Sequence, residues 1–351
     1  MLTYIHIPYC DSKCHYCAFN SYVDKFDTRK AYMQALTRQL AFELERFNAQ
    51  KGSIETLFIG GGTPSTVAPD LYAPLFELLS PYLRHDAEIT TEANPNSATR
   101  EWLEGMKALG VNRVSFGVQS FDAEKLKALN RAHSPKQAIE AVMTAKEIGF
   151  THLSLDLIYN YAGDTEALLQ KDITQALSLP IDHLSAYELT IEGGTKFAAT
   201  PQARQENDTL AFFVAEEITK SSFEHYEISN FGRYQSRHNR GYWELKNYIG
   251  AGAGAVGFLN DRRFYPQTDI EGYINDPFKI SEELLSEDDI VTEKIFLGLR
   301  SNIGIERNLL PQKMQERAEL LCKEGKLTHT HTHYYNDNFF LSDALALFIL
   351  G

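Results

Sequence analysis

Six short runs of apolar and β-branched residues, bounded by turn-forming residues, punctuate the first 190 positions: 3–7, 55–59, 88–91, 113–117, 152–157 and 183–188. Their length and content predict strands. Between them the apolar period changes. Leu36, Leu40, Leu44 and Phe47 recur at three- or four-residue spacing, as do Ile139, Val142 and Met143 within 135–148, the stripe of a helix that buries one face. Pro135 after Ser134, and Pro69 before Asp70, stand where helices begin. The alternation predicts an α/β fold of parallel strands joined by right-handed crossovers. An open doubly wound sheet and a closed or partly closed barrel both fit this repeat, and in both the chemistry gathers at the carboxyl ends of the strands.

The rhythm breaks near Asp276-Pro277, which divides the chain into 1–275 and a small helical domain, 276–351. Beyond the break come an acidic stretch (Glu282, Glu283, Glu287, Asp288, Asp289) and helical patterns at 295–299 and 316–321. A hairpin is expected last, rising through 326–332, turning near Asn336-Asp337-Asn338 and returning through 339–341 as a β-wing. The alternating His329, His331 and His333 fall on one face of its first strand, facing solvent.

Hydrophobic residues make up 43% of the 351 and charged residues 23%, which excludes wholesale disorder. The net charge of −13 repels phosphate backbones and anionic lipid heads, so nucleic acid is not an expected partner. The uncharged stretch 249–259 is far shorter than the ~18–20 apolar residues a membrane span needs. The N-terminus has no basic segment followed by an apolar run, and a cytoplasmic location is expected.

Three of the four cysteines crowd into one octet after the first strand: Cys10, Cys14 and Cys17, spaced C-x3-C-x2-C. Cys322 stands alone in a leucine-rich helical pattern and is expected to be a small buried apolar group. Three thiolates on one loop select soft metal centres. A zinc knuckle needs a fourth ligand, for which His15, His6 and His133 are the candidates. In a four-iron cluster, usually held by four cysteines, three leave one iron free for chemistry.

This loop, with Tyr16 before its third cysteine, resembles the signature of the radical S-adenosylmethionine superfamily. The resemblance implies a partial (βα)6 barrel, a [4Fe-4S] cluster on Cys10, Cys14 and Cys17, and S-adenosylmethionine (SAM) chelated to the open iron. Gly60-Gly61-Gly62-Thr63-Pro64 after the second strand is similar to the superfamily's glycine motif at the amino-acid end of SAM. Glu92, Gln119, Arg131 and Asp156 stand at or just beyond strand ends and together offer carboxylates for hydroxyls and an ammonium, and a guanidinium for a carboxylate. By resemblance Tyr4, Tyr16, Gly61, Gly62, Thr63, Glu92, Gln119, Arg131, Asp156, Thr190 and Val256 match cofactor-contacting positions. The segment 252–257 satisfies G-x-G-x-x-G, but no clean buried strand precedes it and Asp269 and Glu271 come too early for the ribose-binding acid.

The resemblance extends over nearly the whole chain and points to the group that holds oxygen-independent coproporphyrinogen III dehydrogenase and the HemW haem chaperones. Phe19 stands where the dehydrogenase has its fourth cysteine, and the loop begins at residue 10 without the dehydrogenase's longer N-terminal extension. His238-Asn239-Arg240-Gly241-Tyr242-Trp243 resembles the HNxxYW motif linked to haem in HemW proteins; an imidazole can ligate haem iron and aromatic rings can cover a porphyrin face. Three departures stand out: Ala18 in place of the usual Asp, Asn160-Tyr161-Ala162 in place of Gly-Leu-Pro, and Val256 in place of a histidine. The resemblance implies a haem chaperone that serves respiratory membrane proteins and takes electrons from a donor protein. The dehydrogenase, which converts propionate side chains to vinyl groups, is the alternative enzyme reading, and a zinc-stabilised structural protein is a third.

Overall fold

The computed structural model describes residues 1–351. Strands β1 (Leu2–Ile7), β2 (Ile54–Gly61), β3 (Leu83–Ala93), β4 (Arg113–Gln119), β5 (His152–Tyr159) and β6 (His183–Glu188) lie side by side in chain order, all parallel. The six sequence-predicted strands are therefore all present. Their crossovers carry α1 (Arg29–Arg46), α2 (Pro69–Leu79), α3 (Arg100–Ala108), α4 (Ala123–Ala128), α5 (Pro135–Ile148) and α6 (Glu166–Leu177), and α7 (Asp208–Thr219) comes after β6. In α5 the buried face is Ala138, Ala141, Val142 and Ala145, while Met143 is exposed, so the helix is as expected but its stripe is rotated toward the small residues.

Residues after β6 extend the sheet at both edges. β7 (Glu224–Glu227) and β8 (Asn230–Gly232) pair antiparallel beyond β6, and α8 (Arg237–Trp243) leads to β9 (Tyr248–Ala251), which is parallel to β1. β10 (Gly257–Leu259), β11 (Arg262–Pro266) and, after α9 (Ile270–Asn275), β12 (Ile280–Leu284) continue that edge antiparallel. The result is one open sheet of twelve strands with β12 and β7 at its two edges, a partial barrel and not a closed one. β12 carries the sheet past the expected break at 275/276.

One face of each central strand packs on the helices: Ile5, Ile7, Leu57, Ile59, Val114, Phe116 and Leu155 share a core of 57 buried residues with Leu36, Leu40, Leu75, Met106 and Val142. The alternate residues are largely polar, Glu88, Thr90 and Glu92 on β3, Arg113 and Ser115 on β4, Ser154 and Asp156 on β5, and they line the concave interior. The last segment builds a separate core of eleven residues from α10 (Glu287–Leu299), α11 (Gln312–Lys323), α12 (Ser342–Leu350) and a small sheet of β13 (Ile305–Glu306), β14 (Thr328–His329) and β15 (His333–Tyr335). The wing differs from expectation. β14 turns at 330–332 into β15, and Phe339–Leu341 forms a short 3-10 turn, because Asn338 caps that turn by accepting from the Phe340 N–H. His329 and His333 thus lie on paired strands, with His331 in the turn between them.

A candidate cofactor site at the strand ends

The cysteine loop leaves β1 and folds over the carboxyl end of the sheet. Its cysteines are free thiols, with Cys10 buried and Cys14 and Cys17 half-buried. Thr63 Oγ1 donates to Cys10 Sγ at 3.4 Å and Arg131 Nη1 to Cys14 Sγ at 3.2 Å, contacts that favour thiolate. Burial opposes them and pushes the Cys10 and Cys17 thiols up. Such thiols ionise when a metal centre binds them.

Of the three histidines that are candidates for a fourth zinc ligand, His6 and His15 are engaged at both ring nitrogens and His133 at one, its Nδ1 having no partner. His6 links Tyr4 Oη at 3.0 Å to the Asn20 carbonyl at 2.8 Å; His15 links the Ala128 carbonyl at 2.9 Å to Lys196 Nζ at 3.1 Å; His133 Nε2 holds the Val118 carbonyl at 3.0 Å. No three His, Cys, Asp or Glu side chains gather around a single ion. Thiolates that each bond a different iron of a cluster need no such common point, so the donor set fits a cluster better than a zinc knuckle.

Arg131 fastens three loops together. Besides Cys14, its Nη2 donates to Asn94 Oδ1 at 2.6 Å and to the Gly117 carbonyl at 2.5 Å, and Asn94 Nδ2 in turn donates to Thr63 Oγ1 at 3.1 Å. Sequence reading singled out the arginine and the threonine but not the asparagine that joins them; its one signal was its place two residues after Glu92. The glycines have a packing reason of their own. Gly61 has φ +113°, and a Cβ there would lie 2.5 Å from the His6 ring, while one on Gly62 would lie 2.8 Å from the Tyr9 carbonyl. Their N–H groups are already donated, Gly61 to Glu92 Oε2 at 3.1 Å and Gly62 to the Ile7 carbonyl at 2.8 Å.

Two acids face the interior just below. Burial, then the charge of Asp156, raises Glu92 to about 7, and burial raises Asp156 to about 6 against the donation of Ser115 Oγ at 3.3 Å. Gln119 ends β4 with φ +71°, a strained conformation for a side-chain-bearing residue and one that recurs at functional sites. Thr190 is exposed after β6. Val256 lies in the loop between β9 and β10, which Asn20 ties to the cysteine loop through the Ala253 carbonyl at 3.0 Å. The strand expected to be missing before 252–257 is β9; the element after that segment is the short strand β10 and not a helix, so the phosphate-binding geometry of a dinucleotide site does not arise. Phe19 is 68% exposed and puts no ligand on the loop.

The HNxxYW-like segment is helix α8, at the opposite end of the barrel. Glu88 on β3 accepts from the N–H groups of Arg237 at 2.8 Å and His238 at 3.0 Å, so a buried carboxylate holds the helix start. A Cβ on Gly241 would strike Leu2 at 2.5 Å, which is how closely α8 presses against the beginning of β1. His238 is fully buried, stacked on Phe58 with ring centroids 5.0 Å apart and edge-on to Tyr242. Its Nδ1 bonds Thr56 Oγ1 at 2.7 Å, Nε2 has no partner, and burial lowers its pKa to about 3.

The description "Radical SAM superfamily" belongs to the family model that matches residues 4–175. That defines the class of protein, and with it the implied [4Fe-4S] cluster and SAM. Among curated relatives, the heme chaperone HemW of Mycobacterium tuberculosis is 33% identical over 99% of this chain and 94% of its own length. That of Bacillus subtilis is 32% identical over 88% and 86%, and that of Escherichia coli 38% over 72% and 69%. The chain belongs to the HemW family. Coproporphyrinogen III oxidase (HemN) from Escherichia coli shares the fold, with TM-score 0.82 and 20% identity over 99% of this chain and 89% of that one. No helix is long and apolar enough to cross a membrane.

Proposed function

We propose that this protein is a haem chaperone of the HemW type, which holds a [4Fe-4S] cluster on Cys10, Cys14 and Cys17, binds SAM across the strand ends, and delivers haem to respiratory membrane proteins. The observation that carries the reading is the junction of the cysteine loop with Arg131, Asn94 and Thr63, in a chain whose HemW relatives match it at nearly full length. When bound, the reduced cluster would supply an electron to the SAM sulfonium. The chain's own residues bind and orient: Glu92 and Asp156 accept from the ammonium and ribose hydroxyls, Arg131 steadies Cys14 and the carboxylate end, and Tyr4, Tyr16, Gln119, Thr190 and Val256 border the nucleoside.

His238 is the proposed haem ligand through its unpartnered Nε2. Because the ring is enclosed between Phe58 and Tyr242, haem uptake requires α8 to shift from the floor of the barrel. The deciding experiment is an anaerobic assay with coproporphyrinogen III alongside a haem titration. Haem binding that weakens about tenfold or more in His238→Ala, as loss of a metal ligand implies, with the cluster spectrum unchanged and no protoporphyrinogen formed, is the expected result. Protoporphyrinogen formation would make the protein a dehydrogenase instead.

A further inference from the structure

Arg113 opens β4 and is 2% exposed, one of the largest fully buried side chains in the protein. An isolated charge in a protein interior is costly, so a buried guanidinium normally sits in an ion pair or a complete set of hydrogen bonds. Arg113 stands in no ion pair, donates to no protein oxygen, and its enclosed Nε has no partner. Glu88, the buried acid on the neighbouring strand β3, is committed elsewhere. Its Oε2 accepts from Tyr234 Oη at 2.6 Å and Arg237 N at 2.8 Å, and its Oε1 from His238 N at 3.0 Å and Ser236 Oγ at 3.5 Å. All four lone-pair positions are occupied.

Arg113 also sits centrally. After burial itself, it is the next influence on the titration of Glu88 and His183, and it acts on His238, Glu92 and Asp156 as well. On β4 it stands opposite Thr90, midway between Glu88 and Glu92 on β3, so it lies between the floor, where His238 has a free nitrogen, and the layer of acids beneath the cysteine loop. Three carboxylates around one cation repel a small free anion. A carboxylate carried on a flat apolar body is different, because the body gains contact with Phe58, Tyr4 and Tyr242, which ring the same interior.

We propose that Arg113 is an anion-binding residue of the barrel interior, and that the anion it receives is a propionate arm of the tetrapyrrole cargo. The planar fork of the guanidinium matches a carboxylate with two parallel hydrogen bonds. This assignment rests on the haem reading above.

The test compares haem with haem dimethyl ester, whose carboxylates are capped, by absorbance titration of anaerobically reconstituted protein. Wild-type protein is expected to prefer haem by roughly tenfold or more, the worth of one charge-assisted pair. Arg113→Met should bind the two alike with the cluster's EPR signal retained, and Arg113→Lys should regain part of the preference. No preference in the wild type, or an undiminished preference in Arg113→Met, overturns the assignment. A wild-type protein that binds neither porphyrin refutes the haem reading itself, and the propionate with it.

Discussion

Glu92 and Asp156 show how much of the site's chemistry is set by surroundings. Both are ordinary acids by composition, yet burial raises them to about 7 and about 6. In the ligand-free protein these raised values make the folded state hold protons that the unfolded chain has lost. Their contribution to stability therefore falls as pH climbs from the usual carboxylate range to about 7. SAM, placed as proposed, needs the ionised acids for its ammonium and hydroxyls. Its affinity should rise by up to about tenfold between pH 6 and 8, with proton release near pH 6.5, and Glu92→Gln should flatten the profile. Calorimetric titration in buffers of different ionisation enthalpy measures both, and a flat wild-type profile would contradict the placement. The acids themselves were legible because each stands at or near the end of a predicted strand. Asn94 and Glu88 were not, since their partners come from loops and a helix start far away in sequence, nor was Arg113, whose burial depends on the strands beside it; the one local signal was the period-two polar series Glu88, Thr90, Glu92, which marks a polar barrel interior.

At the scale of elements, the six central strands were legible because both of their faces are covered, which leaves dense runs that stand out from the turns. The edge strands were not. β10 has three residues, and β12 is mostly exposed, so neither carries a burial pattern to read. The wing was misplaced because Thr-His alternation mimics a strand while the chain turns within it. One tertiary link between elements is sharply testable. Lys125 on α4 pairs with Asp164 in the loop after β5 at 2.7 Å, both side chains essentially sealed from solvent, and also donates to the Ile158 carbonyl at 2.6 Å. Asp164 accepts from the Tyr161 N–H at 3.0 Å, so this pair shapes the turn where Asn160-Tyr161-Ala162 departs from the family's Gly-Leu-Pro. Lys125→Met should cost about 3–5 kcal/mol in denaturant unfolding because it strands the Asp164 charge, and Lys125→Met with Asp164→Leu should recover most of it. Equal stability of the two variants would show that the pair is not coupled.

At the scale of the whole molecule, the two motif-bearing segments stand at opposite ends of the barrel. The cysteine loop and the polar strand ends occupy one end, α8 with His238 closes the other, and Arg113 lies between them. The motifs at the first end were legible as local patterns, because a loop after a strand keeps its residues within a short stretch of chain. The burial of His238 was not legible, since the same motif reads equally as an exposed ligand loop until Glu88, Thr56 and Phe58 are known to surround it. A net charge of −13 likewise gives no hint of a buried arginine that stands in no ion pair. The central claim is that three thiols hold a cluster with one iron left open to SAM. EPR of the anaerobically reconstituted, reduced protein, recorded with and without SAM, tests it most directly. A reduced-cluster signal whose shape changes on adding SAM, and which is absent when Cys10, Cys14 and Cys17 are all replaced by Ala, is the predicted result; a colourless, EPR-silent protein, or a signal indifferent to SAM, would contradict it.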